Sequence, residues 1–373
     1  AGNDPMKLRF NMFSWRCLYS ILTIMGQCVF VFFCFLKMFK DTDASLSANT
    51  CIVFYSTNTI TTVLFLRIAA QWPRLSRHIS RLEAADPITD RLLVRKCNIS
   101  CIVLLSLALL EHILSDISGV ALIVGCYEEP ITIYEQFVRK SFSWIYSYVP
   151  YNHFIGPMTQ ITNIQCTFNW NFAGVFVICI SIYLTSRLEQ VNQRIFAVQG
   201  RYVPPSYWRT MREDYCRATS LVRKVDNVIG GIIFISFANN LFFICLQLLH
   251  TMEEGIKSIP TSCGGADSDR RPFRGYEQAV YFVYSFAFLV TRSLAMSLVA
   301  ARIHTVSKKP AYALYEVSSA SYCVEIQRFL TQVHMDDVAL SGIQFFNVKR
   351  GLILTIAGTI VTYELVLMQF AGV

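Results

Sequence analysis

Charged residues are scarce: only 16% of the 373 positions are Asp, Glu, Lys or Arg, against about 25% in an ordinary soluble domain. With 54% hydrophobic residues and a mean hydropathy of +0.42, the chain cannot cover a water-facing surface and reads as a polytopic membrane protein. No separate soluble domain fits between its apolar stretches. The constellations that carry catalysis are also missing: there is no HExxH pair, no strand-turn serine and no phosphate loop. The 13 cysteines include no CxxC pair, and most sit inside apolar runs, where a thiol serves as a small core residue. An enzyme, a metal site and a cofactor are therefore not expected.

What the chain has instead is seven apolar stretches long enough to cross a bilayer as helices: residues 15–39, 50–70, 97–125, 166–186, 228–250, 278–301 and 348–370. The first is too long for a signal-peptide core and lacks a cleavage site, so it reads as a span. A cytoplasmic N-terminus puts 24 of the 33 lysines and arginines on the inner side and 8 outside, the asymmetry that sets orientation. The expected fold is an all-α membrane protein: one seven-helix membrane domain over residues 1–373, N-terminus cytoplasmic and C-terminus extracellular. That is the reverse of a G-protein-coupled receptor. Residues 187–226 and 302–347 are basic and interleaved with apolar positions such as Leu188, Val191, Ile195 and Val198 at helical spacing. These read as helical extensions below the membrane, either packed into a cytoplasmic anchor or laid on anionic lipid as amphipathic helices. Residues 127–165 are the longest outer connection, an expected extracellular aromatic lid loop carrying Trp144 and Tyr148. Cys126 and Cys166 flank it, and a bridge between them is one open connectivity.

Charges inside spans cost about 2.5 to 3.5 kcal/mol each on insertion scales, so each needs a partner or a water-filled cavity. Glu111 and Arg292 lie at similar depth, roughly 21 to 23 Å below the outer ends of their helices at a rise of about 1.5 Å per residue, and are expected to pair. His112 and Asp116 are four apart on one helical face in the outer half of the third span. The fifth span offers Ser236, Asn240 and Gln247; the sixth offers Tyr281, Ser285 and Phe288. Carboxylates, an imidazole and amides interleaved with rings suit a polyhydroxylated ligand, because acceptors and amides satisfy its hydroxyls while rings cover its C–H faces. The candidate ligand-binding set, for a sugar, is Glu111, His112, Asp116, Trp144, Tyr148, Trp170, Asn240, Gln247, Tyr281 and Tyr284. Any one of these polar groups can equally serve as interhelical glue.

The last span is two-faced. On a helical wheel Thr355, Thr359, Thr362, Val366 and Gln369 fall within roughly 80° of one another, while Glu364 lies opposite. The stretch Thr362-Tyr363-Glu364-Leu365-Val366-Leu367-Met368-Gln369-Phe370 resembles the C-terminal signature of insect gustatory receptors: Thr-Tyr, five mostly hydrophobic residues, then Gln-Phe. With Glu364 in the first of those five places, it is similar to the form found in the sugar-receptor branch. The resemblance implies a tetrameric, ligand-gated, non-selective cation channel whose pore is lined by the last helix, residues 348–370. It also implies a ligand pocket in the outer half of each subunit between spans two and six. On that reading Thr355, Thr359, Thr362, Val366, Gln369 and Phe370 form the pore line and gate, and Glu364, Tyr363 and Arg292 couple pocket to pore. The implied partners are a small-molecule sugar such as sucrose or maltose, permeant cations and membrane lipid, in a homotetramer or in heteromers with related receptors, with no nucleic acid. The implied location is the plasma membrane of chemosensory neurons. The alternative is a structural subunit of a heteromeric taste channel that needs a partner for ligand binding.

Overall fold

The structure, a computed structural model, describes residues 8–40, 50–87, 90–121, 123–124, 130–254 and 276–371, without the side chains of 250–254, 320 and 363–371. Within them the chain forms helices α1 (Trp15–Lys40), α2 (Thr50–Ala85), α3 (Leu93–Ala121), α4 (Pro130–Ser141), α5 (Ser143–Tyr146), α6 (Ile155–Phe196), α7 (Pro205–Glu254), α8 (Glu277–Lys308), α9 (Pro310–Tyr315), α10 (Val324–Met335) and α11 (Arg350–Ala371). Among the described residues there is no β-strand beyond an isolated bridge. Helices α1, α2, α3, α6, α7 and α8 are long and apolar enough to cross a membrane. The seventh apolar helix is α11. Helices suit that solvent because each satisfies its own backbone groups where no water can.

All seven expected spans fall on helices, but several helices overrun them. The expected fourth span, 166–186, is the middle of the 42-residue α6. Hydropathy falls where charge begins, yet Leu188, Val191 and Ile195 keep helical spacing and are buried, so the helix continues into a packed base. Residues 127–165, expected as a loop, are helical for most of their described length: they hold α4, α5 and the first turns of α6. Phe137, Phe142 and Trp144 face inward, while Tyr134, Tyr148 and Phe154 are exposed. Trp144 packs edge-on against Phe30 of α1, ring centroids 5.1 Å apart, and lies 5.0 Å from the Tyr55 ring of α2. Helix α4 sits close on α3 because residue 119 is glycine; a Cβ there would come within 2.7 Å of the Phe137 ring. Cys166 is a buried free thiol that accepts a hydrogen bond from Gln27 Nε2 at 3.5 Å. It therefore makes no bridge to Cys126, which lies outside the described residues.

At the other end, α6 to α10 close around an apolar cluster that includes Tyr215, Phe329, Leu314 and Ile303. Its rim is held by charge. Arg194 of α6 joins Asp86 to Asp214 of α7, while Arg212 to Glu325 at 3.2 Å and Arg223 to Asp336 at 2.7 Å tie α7 to α10 and its C-terminal turn. Lys308 donates to the carbonyls of Val333, His334 and Asp336 at 2.7, 3.0 and 2.8 Å, satisfying acceptors that the end of α10 leaves open. Asp337 takes a hydrogen bond from Lys349, whose ammonium holds that carboxyl below the usual range.

A tight hairpin joins this base to α11. Ser341 and Asn347 form a bridge across it, and Ile343 and Gln344 at its tip have φ of 52° and 62°. Two successive non-glycine residues in the left-handed region are strained, so the turn must be held from outside. Asp226 of α7 holds it: one carboxylate oxygen accepts from the Ser341 N–H at 2.6 Å and the other from its hydroxyl at 2.7 Å. Phe346 adds a ring contact with Phe237 of α7 at 5.4 Å. The hairpin thus fixes where α11 departs from α7. Asp226→Ala should destabilise the purified protein by about 2 kcal/mol, the worth of hydrogen bonds to a charged acceptor, whereas Gln344→Gly should stabilise it by about 1 kcal/mol by relieving the left-handed residue. Thermal unfolding in detergent measures both shifts, and their signs should be opposite.

Candidate ligand-binding site

A cavity of about 340 Å³ opens between α2, α3, α6, α7 and α8 beneath the roof made by α4 and α5. Each wall follows from helical spacing. Helix α8 presents Tyr281, Ser285, Phe288 and Arg292, four, three and four residues apart, and so on one face. Helix α6 presents Asn163, Thr167 and Trp170 in the same way, α3 gives Glu111, His112 and Ser115, and α7 gives Phe243 and Gln247. Phe54 and Tyr55 of α2 and Trp144 from the roof complete an aromatic enclosure.

Two polar assemblies face this space. In the first, Gln247 Nε2 donates to Ser285 Oγ at 3.1 Å, and Ser285 in turn donates to Glu111 Oε1 at 2.7 Å. The relay ties α7, α8 and α3 together while leaving the second carboxylate oxygen of Glu111 without a hydrogen bond from any described residue. The second assembly surrounds Arg292, whose side chain is 3% exposed. Its guanidinium lies 4.4 Å from the centroid of the Trp170 ring and 5.6 Å from that of Phe288. It donates to the side-chain oxygens of Asn171 and, at 3.0 Å, Asn240. Stacking on an indole and bonding to two amides is how a cation survives removal from water, since the ring quadrupole attracts it by about 2 kcal/mol when desolvated.

Some donors remain unused. Trp170 Nε1 is buried without a hydrogen-bond partner, as is His112 Nε2, which stands 3.7 Å from Asp116 Oδ2. A buried polar atom left in this state costs roughly 1 to 3 kcal/mol, and here both residues line the same cavity.

The sequence-derived set divides accordingly. Glu111, His112, Trp144, Trp170, Gln247 and Tyr281 line the cavity, as does Arg292. Asn240 supports it from beneath through Arg292. Asp116 is displaced toward the surface, taking weak hydrogen bonds from Gln160 at 3.4 Å. Tyr148 is on the outside, 38% exposed and 5.4 Å beneath the Lys40 ammonium; Tyr284 turns its hydroxyl to the Leu107 carbonyl at 3.0 Å. The expected ion pair between Glu111 and Arg292 is not formed: no described carboxylate lies within ion-pair distance of Arg292, because Asn171, Asn240 and Trp170 already hold it. Missed altogether were Phe54, Tyr55, Asn163, Thr167 and Phe243. The spacing of Asn163, Thr167 and Trp170 was a usable signal, hidden by reading residues 127–165 as a loop.

Fold and site together define a multi-pass helical membrane protein with a cavity inside its bundle. Its fold is that of the insect olfactory receptor OR5 from Machilis hrabei, matched with a TM-score of 0.66 at 13% identity over 98% of this chain and 92% of that one. The same receptor in complex with eugenol matches at 0.65. A sequence model of the family described as "Trehalose receptor" matches residues 1–264 and 267–372, and the chain belongs to that family of insect gustatory receptors. It is 33% identical to the Drosophila melanogaster "Gustatory receptor for sugar taste 64f", over 99% of this chain and 76% of that protein. It is likewise 33% identical to "Gustatory receptor 5a for trehalose" from the same fly, over 97% of this chain and 78% of that one.

Replacing Arg292 tests the second assembly. Arg292→Met should lower the unfolding midpoint in detergent, and a double-mutant cycle with Asn240→Leu should return a coupling of about 1 to 3 kcal/mol, because removing the cation alone strands a buried amide oxygen. Additive effects would mean the two side chains do not support each other.

Proposed function

We propose that this chain is the subunit of a sugar-gated, non-selective cation channel, a sweet-taste receptor in the plasma membrane of chemosensory neurons, oriented with the α4–α5 roof outside and the α6–α10 base in the cytoplasm. The observation that carries this reading is the cavity's composition. Glu111, His112 and Trp170 bring a carboxylate, an imidazole and an indole to walls made largely of aromatic faces. That pattern suits a sugar, whose edges are hydroxyls and whose faces are C–H. At about 340 Å³ the space is at the small end of ligand cavities, which run roughly 300 to 1,000 Å³. The relative named for trehalose supports a disaccharide, the chemical class to which sucrose and maltose also belong.

The pore proposal rests on α11. Thr355, Thr359 and Thr362 are exposed on the side away from the bundle, while Leu352 and Ile356 pack against it. Each threonine hydroxyl donates to the carbonyl four residues earlier, at 3.1, 2.9 and 2.8 Å. Its oxygen is thereby turned outward as an acceptor, the kind of group that lines a cation path. Four copies arranged about an axis would bring these stripes together. The side chains of Tyr363, Glu364, Val366, Gln369 and Phe370 lie outside the described residues; in the proposal Val366, Gln369 and Phe370 continue the stripe to the gate, and Tyr363 and Glu364 couple it to the bundle. Sugar selects the open state by binding it more tightly, with α7 and α8 moving at the cavity and carrying α11 with them.

Currents from cells expressing this chain alone, challenged with a panel of mono- and disaccharides, test the reading. A sugar-evoked cation current is expected, with its half-activating concentration raised at least about tenfold by Glu111→Gln, the loss of one charged hydrogen bond, and less by Asp116→Asn. A current that appears only with a second subunit would favour the partner-dependent alternative. For the pore, thiol reagents applied to Thr359→Cys during sugar application should block the current; full protection would place that stripe in a packing interface.

A further inference from the structure

A second and larger cavity, about 700 Å³, lies further along α2 from the first, at residues 65–73. It runs between the start of α1, the middle of α2 and the face of α6. Its character is different. Phe65, Trp72, Phe172 and Phe176 form a continuous ring surface, with Phe65 centred 5.4 and 5.5 Å from the two α6 rings, and no acidic side chain lines it. At the α1 end the wall turns basic: Arg9 and Arg16 both line the mouth and are exposed. Neither has a carboxylate partner among the described residues.

A hydrocarbon-walled groove with two unpaired guanidiniums at one end is complementary to an amphiphile with an anionic head. Guanidinium binds phosphate oxygens in a two-pronged geometry and is the more readily desolvated of the basic groups. We propose that this groove binds an anionic phospholipid of the cytoplasmic leaflet, its phosphate and headgroup between Arg9 and Arg16 and an acyl chain along Phe65, Trp72, Phe172 and Phe176. The leaflet rests on the orientation proposed above; the lipid chemistry does not. Anionic lipids are concentrated on the cytoplasmic side of the plasma membrane, so the two agree. Because α2 and α6 also wall the sugar cavity, the lipid would brace from below two of the helices that a sugar meets above.

The test is native mass spectrometry of the full chain in mixed micelles holding equimolar phosphatidylserine and phosphatidylcholine with the same acyl chains. Wild type should retain phosphatidylserine over phosphatidylcholine by at least about tenfold, because both lipids carry the phosphate but only phosphatidylserine has a net negative charge to meet the two guanidiniums. Arg9→Gln with Arg16→Gln should bring the two lipids to parity, and since both side chains are exposed the fold should be unaffected. Lys37→Gln, at the other end of α1, should leave the preference intact. Ala69→Trp, which fills the groove from an exposed position, should reduce retention of both lipids. Equal retention by wild type, retention of neither lipid, or a preference that survives removal of both arginines would overturn the proposal. So would a rise in retention of both lipids on deleting residues 1–7, which would mark the groove as the seat of those residues. None of these outcomes depends on a sugar response or on orientation, so failure here leaves the channel reading standing and failure of that reading leaves the lipid site standing.

Discussion

A guanidinium buried in the middle of a helical bundle has to be solvated by the protein itself, and much of this structure follows from how Arg292 is solvated. Pairing it with a carboxylate would have consumed an acid. The chain instead gives Arg292 an indole face from α6, an amide from α6 and an amide from α7. Three helices are fixed to one another by a single side chain, and Glu111 is left to the Ser285 relay, its second oxygen without a hydrogen bond from any described residue. The cavity is the space between a cation satisfied from behind and an anion only half satisfied from the side. An uncompensated buried charge is among the most destabilising defects a core can carry, so the helices cannot drift apart without exposing it.

The helical bundle was legible because scarce charge, long apolar runs and basic stretches between them are coarse signals that tertiary packing does not alter. Depth was legible too: Glu111 and Arg292 were placed at one level from rise alone, and both line the cavity. Their bonding was not, since depth says nothing about rotation around the helix axis. Tyr148 and Tyr284 were chosen for their chemistry, and each faces elsewhere. The roof was misread for a physical reason. Residues 130–146 are amphipathic, with Phe137, Phe142 and Trp144 buried, and a hydropathy window averages such a short two-faced helix to nothing. That error concealed the first turns of α6 and with them Asn163, whose spacing to Thr167 and Trp170 marks one wall of the cavity.

Cavity and terminal helix are connected by the same scaffold. Helices α7 and α8 wall the cavity at one level and pack against α11 at another, and α7 also carries Asp226, which clamps the strained hairpin leading into α11. A packed contact of this kind transmits a displacement rather than absorbing it, because close-packed interiors compress little. In the proposed channel this makes the ends of α7 and α8 the lever, the hairpin the fulcrum, and the threonine face of α11 the moving wall.

The central claim is that the sugar lies against Trp170 and Glu111, over the buried Arg292. Cryo-electron microscopy of the purified protein with the sugar that evokes the largest current addresses it most directly. Density is expected inside the enclosure of Phe54, Trp144, Trp170 and Tyr281, with a hydroxyl within hydrogen-bond reach of Glu111. An empty enclosure, or sugar held instead at Asp116 near the surface, would contradict it.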